Sequence, residues 1–100
     1  MEVSIDGHSP FSGAKVAALS PRLAQRLGMP VDSTGVAVID VAPNSPAEGV
    51  GFQPHDIVRE VNGEEITSAE KLKEVASERT RMWRFTIERD GQTMSQILRY

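Results

Sequence analysis

Apolar and polar positions change rhythm several times along this 100-residue chain, and each change predicts an element. Val16 and Ala18 alternate with Lys15 and Ala17, the two-residue period of a half-buried strand. Ser20-Pro21 then opens a short helix, with Ser20 as N-cap and Pro21 at its first position. Leu23, Ala24 and Leu27 fall at helical spacing, and Gly28 and Pro30 close it. Val36 to Ala42 is a β-branched run without strong polar alternation, which predicts a strand covered on both sides. Ser45-Pro46 repeats the helix-opening punctuation, and that helix ends by Gly49 and Gly51, with Phe52 as the apolar anchor after it. Ile57 to Val61 predicts a strand, Asn62-Gly63 a tight turn and Glu64 to Ile66 a short return. Thr67 reads as the next N-cap, with Glu70 completing a capping box. Ala69, Leu72, Val75 and Ala76 then share one helical face. Trp83, Phe85 and Ile87 alternate with Arg84, Thr86 and Glu88 and turn back at Asp90-Gly91. Arg89 is expected opposite Gln92, Ile87 opposite Met94, Phe85 opposite Gln96 and Trp83 opposite Leu98. Gln96 fits poorly opposite Phe85, which predicts either a place at the sheet margin or a bulge.

Five or six short strands, two short helices and one longer helix follow. They do not alternate at crossover spacing, so the expected class is α+β, a small curled antiparallel sheet capped by helices. Residues 1–9 are small and polar and predict a flexible lead-in; residues 10–100 form one domain.

Composition narrows the function classes. Hydrophobic residues make up 39% and charged residues 25%, ordinary for a globular fold, and the net charge of −3 argues against nucleic acid as partner. There is no cysteine, so neither a disulfide framework nor a thiolate metal site is expected. No apolar run approaches the roughly 20 residues of a membrane span. The first residues lack the basic and apolar regions of a signal peptide, and the chain reads as a domain cut from a longer protein. His8 and His55 are the only histidines, too few for a metal site. Ser12, His55 and Asp56 assemble a triad only on paper, because an adjacent His-Asp pair does not orient a histidine and no nucleophile elbow is present. Arg79, Arg81, Arg84 and Arg89 read as a solvated face.

Pro10-Phe11-Ser12-Gly13-Ala14 is the stretch with the clearest binding potential. A glycine turn running into a strand can point successive N–H groups into one concavity suited to a carboxylate, and the strand edge can accept a second extended chain.

Four stretches carry a family resemblance: Gly35-Val36-Ala37-Val38, Val41-Ala42-Pro43-Asn44-Ser45-Pro46-Ala47, Gly51-Phe52-Gln53-Pro54-His55-Asp56-Ile57-Val58 and Val61-Asn62-Gly63. In this order they resemble a PDZ domain, most like those of bacterial HtrA/Do-type periplasmic serine proteases. Coverage runs from about Phe11 to Tyr100, and His55 stands where glycine is usual. The ending from Trp83 to Arg89 with a short return resembles the last (second) PDZ domain of such a protease. Phe11-Ser12-Gly13-Ala14 lies where the family's carboxylate loop belongs, with Ser12 and Ala14 departing from its bulky apolar positions.

The resemblance implies a non-catalytic module that captures extended or C-terminal segments of unfolded proteins by strand addition. The implied peptide site comprises Phe11, Ser12, Gly13, Ala14, Lys15 and Val16, with Ala69, Leu72, Lys73 and Ala76 on the facing helix. The terminal carboxylate would rest on the N–H groups of Ser12, Gly13 and Ala14, and the last side chain would enter a pocket between Phe11, Ala14, Val16 and Leu72. Ser68-Ala69 at the start of that helix implies an apolar ligand preference. It further implies a periplasmic location, a serine-protease parent with neighbouring protease and PDZ domains as partners, and no cofactor or metal. The second reading is an interdomain or oligomer-assembly module of the same protease with little peptide binding.

Overall fold

The structure, a computed structural model, describes residues 2–100. Ten elements follow one another: β1 (Val3–Ser4), β2 (Ala14–Ala18), α1 (Pro21–Arg26), β3 (Val36–Val41), α2 (Pro46–Val50), β4 (Ile57–Val61), β5 (Glu64–Glu65), α3 (Ala69–Ala76), β6 (Met82–Arg89) and β7 (Gln92–Arg99). All strand pairs are antiparallel, in the order β1-β2-β3-β4-β6-β7, with β5 added on β4.

Helix starts follow local chemistry. Ser20 Oγ accepts from the Leu23 N–H and Ser45 Oγ from the Glu48 N–H, with proline next in each case. At α3 the N-cap is Ser68, whose Oγ accepts from the Lys71 N–H at 2.9 Å, and not Thr67. The shift by one residue puts Lys71 where a capping box needs an acid. Lys71 Nζ instead reaches Glu64 Oε1 of β5, at 2.7 Å. The apolar face of α3 is as predicted: Ala69, Leu72, Val75 and Ala76 are all buried.

The β6–β7 hairpin has the predicted register without a bulge, Phe85 opposite Gln96 included. Gln96 is exposed, on the edge strand β7. It lines a cleft of about 530 Å³ with Phe52, Phe85 and Met94. The strand β3 is covered on both sides only over Val36–Val38; Asp40 is exposed.

The core is aromatic at its centre. The Phe11 ring lies 5.0 Å from Phe52, 5.6 Å from Phe85 and 6.0 Å from Trp83. Each such side chain removed from water contributes about 1.5–3 kcal/mol. Aliphatic residues of β2, β3, β4 and α3 close around this centre.

The lead-in differs from its sequence-based expectation. Val3–Ser4 pair with β2, Ile5 is 2% exposed, and Ser9 and Pro10 are buried. Val3-x-Ile5 is a two-residue alternation, too brief to stand out from a polar stretch, yet sufficient to seat two side chains on one face once an edge is available.

Candidate functional site

The implied groove lies between β2 and α3, and α3 packs against both β1 and β2. On the strand side Phe11, Ala14 and Val16 are buried, Ser12 is nearly so, and Lys15 is half-buried. On the helix side Ala69, Leu72 and Ala76 are buried, whereas Lys73 projects into solvent. The apolar members therefore converge, but as parts of one core. Phe11 in particular is its aromatic hub rather than a pocket rim.

What lies in the groove is the chain itself. β1 runs antiparallel along β2, with Val3 opposite Val16 and Ser4 opposite Lys15. The ladder continues past the strand: the Ile5 N–H donates to the Ala14 carbonyl at 2.8 Å and the Gly13 N–H donates to the Ile5 carbonyl at 2.9 Å. Ile5 belongs to the same buried cluster as Phe11, Ala14, Val16 and Leu72, the residues the sequence assigned to the pocket for a ligand's last side chain. Glu2 adds an ion pair to Lys15 at 3.8 Å, exposed on both sides and worth little.

The three N–H groups aimed at a carboxylate are committed within the chain. Ser12 donates to the Ser9 carbonyl at 3.2 Å, Ala14 to the Phe11 carbonyl at 3.1 Å, and Gly13 to Ile5. Of these only the Gly13 N–H points at the incoming strand. The turn is held by serines. Ser12 Oγ donates to the Gly7 carbonyl at 2.7 Å and accepts from the Ser9 N–H at 3.3 Å, while Ser9 Oγ accepts from the Phe11 N–H at 3.1 Å. The departure at Ser12 thus has a structural cause, since an apolar side chain could not close this turn.

Gly13 is required on two counts. Its φ of +98° lies in the left-handed region, and a Cβ there would overlap the Ser45 side chain. The loop is docked on the start of α2: the Ala47 N–H donates to the Ser12 carbonyl at 3.0 Å and the Ala42 N–H to the Gly13 carbonyl at 2.9 Å.

Other chemistry-bearing residues are not brought together. Ser12 Oγ is bonded to Gly7, and His55 is an exposed turn residue at φ +80°. Asp56 is 1% exposed and held by Arg89. Arg89 therefore leaves the arginine cluster, while Arg79, Arg81 and Arg84 are exposed as predicted. A cavity of about 620 Å³ lies away from β2. It lies beyond the end of α3 and is lined by Asp6, His8, Arg79, Arg81 and Tyr100 among others.

Sequence reasoning missed that Val3 and Ile5 bond to the β2 edge and that Gly7 and Ser9 close the turn before it. The alternation Val3-Ser4-Ile5-Asp6 was the available signal.

Comparison with known proteins agrees with this architecture. A family model described as "PDZ domain" matches residues 4–96. A probable periplasmic serine endoprotease, DegP-like, of Chlamydia muridarum is 33% identical over 63% of this chain, which spans 13% of that protein. Human serine protease HTRA3 is 34% identical over 69% of the chain, which spans 16% of it. The magnetosome formation protease MamE of Paramagnetospirillum magneticum is 31% identical over 92% of the chain, which spans 13% of it. Among solved structures, an HtrA-type protease AlgW with decapeptide superposes with a TM-score of 0.74 at 27% identity, over 87% of this chain and 27% of that one. The HtrA3 PDZ domain bound to a phage-derived ligand superposes with a TM-score of 0.66 at 20% identity, over 98% and 88% of the two chains. This chain belongs to the PDZ domain family and is homologous to the PDZ domains of HtrA/DegP-type serine proteases.

Proposed function

We propose that this chain is the non-catalytic peptide-binding module of an HtrA/Do-type serine protease, taking an extended segment of an unfolded protein as an added strand between β2 and α3. One observation carries the reading. The groove already holds a strand in that mode, antiparallel on β2, with alternate apolar side chains turned to the core and backbone hydrogen bonds along the edge. Backbone bonds supply affinity independent of sequence, and the seat of Ile5 supplies a preference for an apolar residue. The site consists of Gly13 to Val16 with Ala69, Leu72 and Ala76. The module would act in the periplasm, as in the DegP-like relatives, and would be the last PDZ domain of its parent.

The affinity expected of a short peptide that must order itself is weaker than about 1 µM. An NMR titration with the peptide Glu-Val-Ser-Ile (the sequence of residues 2–5) tests this. The largest shifts are expected in residues 13–17 and 68–76, and the reading fails if they fall elsewhere.

The commitment of the Ser12, Gly13 and Ala14 N–H groups favours a second reading, an interdomain or oligomer-assembly module with little peptide binding. It predicts no response to any peptide, together with loss of the parent's oligomer when this domain is deleted.

A further inference from the structure

We propose that residues 2–5 are a displaceable arm, an internal ligand that competes with any external strand for the β2 edge. This rests on the peptide-binding reading above. The two parts of the lead-in are unequally attached. Residues 7–12 form a turn closed by its own bonds, Ser12 Oγ to the Gly7 carbonyl and Ser12 N–H to the Ser9 carbonyl, with both serine side chains buried. The His8 ring also packs on Tyr100, at 4.8 Å. Ahead of that turn, the arm is held by a two-residue strand, the Ile5 bonds, the Ile5 side chain, a half-buried Val3, the contact of β1 with α3 and one exposed ion pair. Gly7, at φ +92° with open space around it, stands between the two parts. Release of the arm from Gly7 leaves the turn, the core aromatics and the sheet from β2 to β7 in place. It uncovers the β2 edge, the Gly13 N–H and the Ile5 seat together.

The arm and a peptide exclude one another because the β2 edge accepts a single strand. Affinity measured on the closed protein is reduced by the fraction of time the arm is away. The groove's strength is then set by the arm as much as by its walls. Elements joined by so few bonds open locally, ahead of global unfolding.

Ser4 and Lys15 are paired across β1 and β2, and the chain has no cysteine. The double variant Ser4→Cys/Lys15→Cys can therefore be locked by oxidation and released by reduction, without removing Ile5 from the core. The probe is the Glu-Val-Ser-Ile peptide, titrated into both forms by NMR. The expected result is binding by the reduced form and at least about tenfold weaker binding by the oxidised form. Equal binding by both overturns the arm while leaving the peptide groove intact. Binding by neither overturns both. A second measurement needs no ligand. In the wild-type chain, the amides of Ile5 and Gly13 are expected to exchange with solvent well ahead of those of β4 and β6. Exchange of all of them at one common rate would make the arm a fixed part of the fold and end the proposal.

Discussion

Arg89 grips both carboxylate oxygens of Asp56: its Nε lies 2.8 Å from Oδ1 and its Nη2 2.7 Å from Oδ2. Asp56 Oδ2 also accepts the Gln53 N–H at 2.9 Å, and Arg89 Nη2 also donates to the Gly51 carbonyl at 3.0 Å. One fork thus fastens the end of β6 to the turn between α2 and β4, and the hydrogen bond to the Asp56 carboxylate raises the proton affinity of the guanidinium. Asp56 is buried, so removing Arg89 strands its charge, whereas removing Asp56 leaves the partly exposed Arg89 and the Gln53 N–H without their acceptor. Arg89→Met and Asp56→Ala are each expected to cost about 3 kcal/mol, read by urea denaturation. The double variant should cost clearly less than the sum. Additivity within about 0.5 kcal/mol would mean that the pair is not coupled.

Gly13 and Gly91 both hold positive φ, +98° and +79°, but only Gly13 has a close neighbour where a Cβ would go. Gly91→Ala should pay the left-handed strain alone, about 1–2 kcal/mol. Gly13→Ala should pay that and the displacement of Ser45, which caps α2. Thermal denaturation of the two variants separates the contributions. Equal losses would show that the contact with Ser45 is easily relieved.

His55 carries a φ of +80° on an exposed turn, and its N–H donates to the Val38 carbonyl at 2.8 Å. Glycine keeps that bond and escapes the strain of about 1–2 kcal/mol, at an entropic cost of about 0.5–1 kcal/mol. His55→Gly is therefore expected to raise stability slightly, by up to about 1 kcal/mol. A fall in melting temperature would mean that the imidazole makes a stabilising contact after all.

Glu64 and Lys71 join β5 to the first turn of α3. The hydrogen bond and charge of Lys71 hold the Glu64 carboxyl below its ordinary 4.5. The same bond raises the Lys71 amine above 10.5. A depressed carboxyl contributes stability above its unfolded value, and that contribution is lost as pH falls below about 4.5 through the folded one. A raised amine contributes below 10.5 and loses its share as pH climbs through the folded value. Both groups meet solvent, so the effect is small and screened by salt. An NMR titration of the Glu64 carboxyl checks it: Lys71→Met should return the midpoint toward 4.5, and 1 M salt should do so in part.

Much of the scaffold is legible because its causes are local. Ser20 and Ser45 cap their helices by bonding N–H groups three residues on, and proline after each preselects the backbone angle. Asp90-Gly91 sets a two-residue turn, and a turn of known length dictates every pairing from Arg89↔Gln92 to Trp83↔Leu98. The face of α3 follows from helical periodicity. Where two local solutions are nearly equal, the text of the chain is silent: Thr67 and Ser68 both offer a hydroxyl, and the path from β5 selects Ser68.

The candidate site was half legible for the same reason. Gly13 could be seen as a turn glycine, and Leu72 and Ala76 as one helical face, but not that Ser45 leaves Gly13 no room for a side chain. Asp56 beside His55 looks like a surface pair, and only Arg89, arriving from 33 residues away, makes it a buried anchor. The lead-in is the largest such case. Val3 and Ile5 are two apolar residues in a polar stretch, too few to bury themselves. The β2 edge and α3, assembled from distant parts of the chain, provide the surface that removes them from water. Sequence alone determined that the chain is a PDZ scaffold. The tertiary structure decided that β1 occupies the β2 edge, because pairing a short strand with an open edge depends on what folding brings within reach and not on the strand's own pattern.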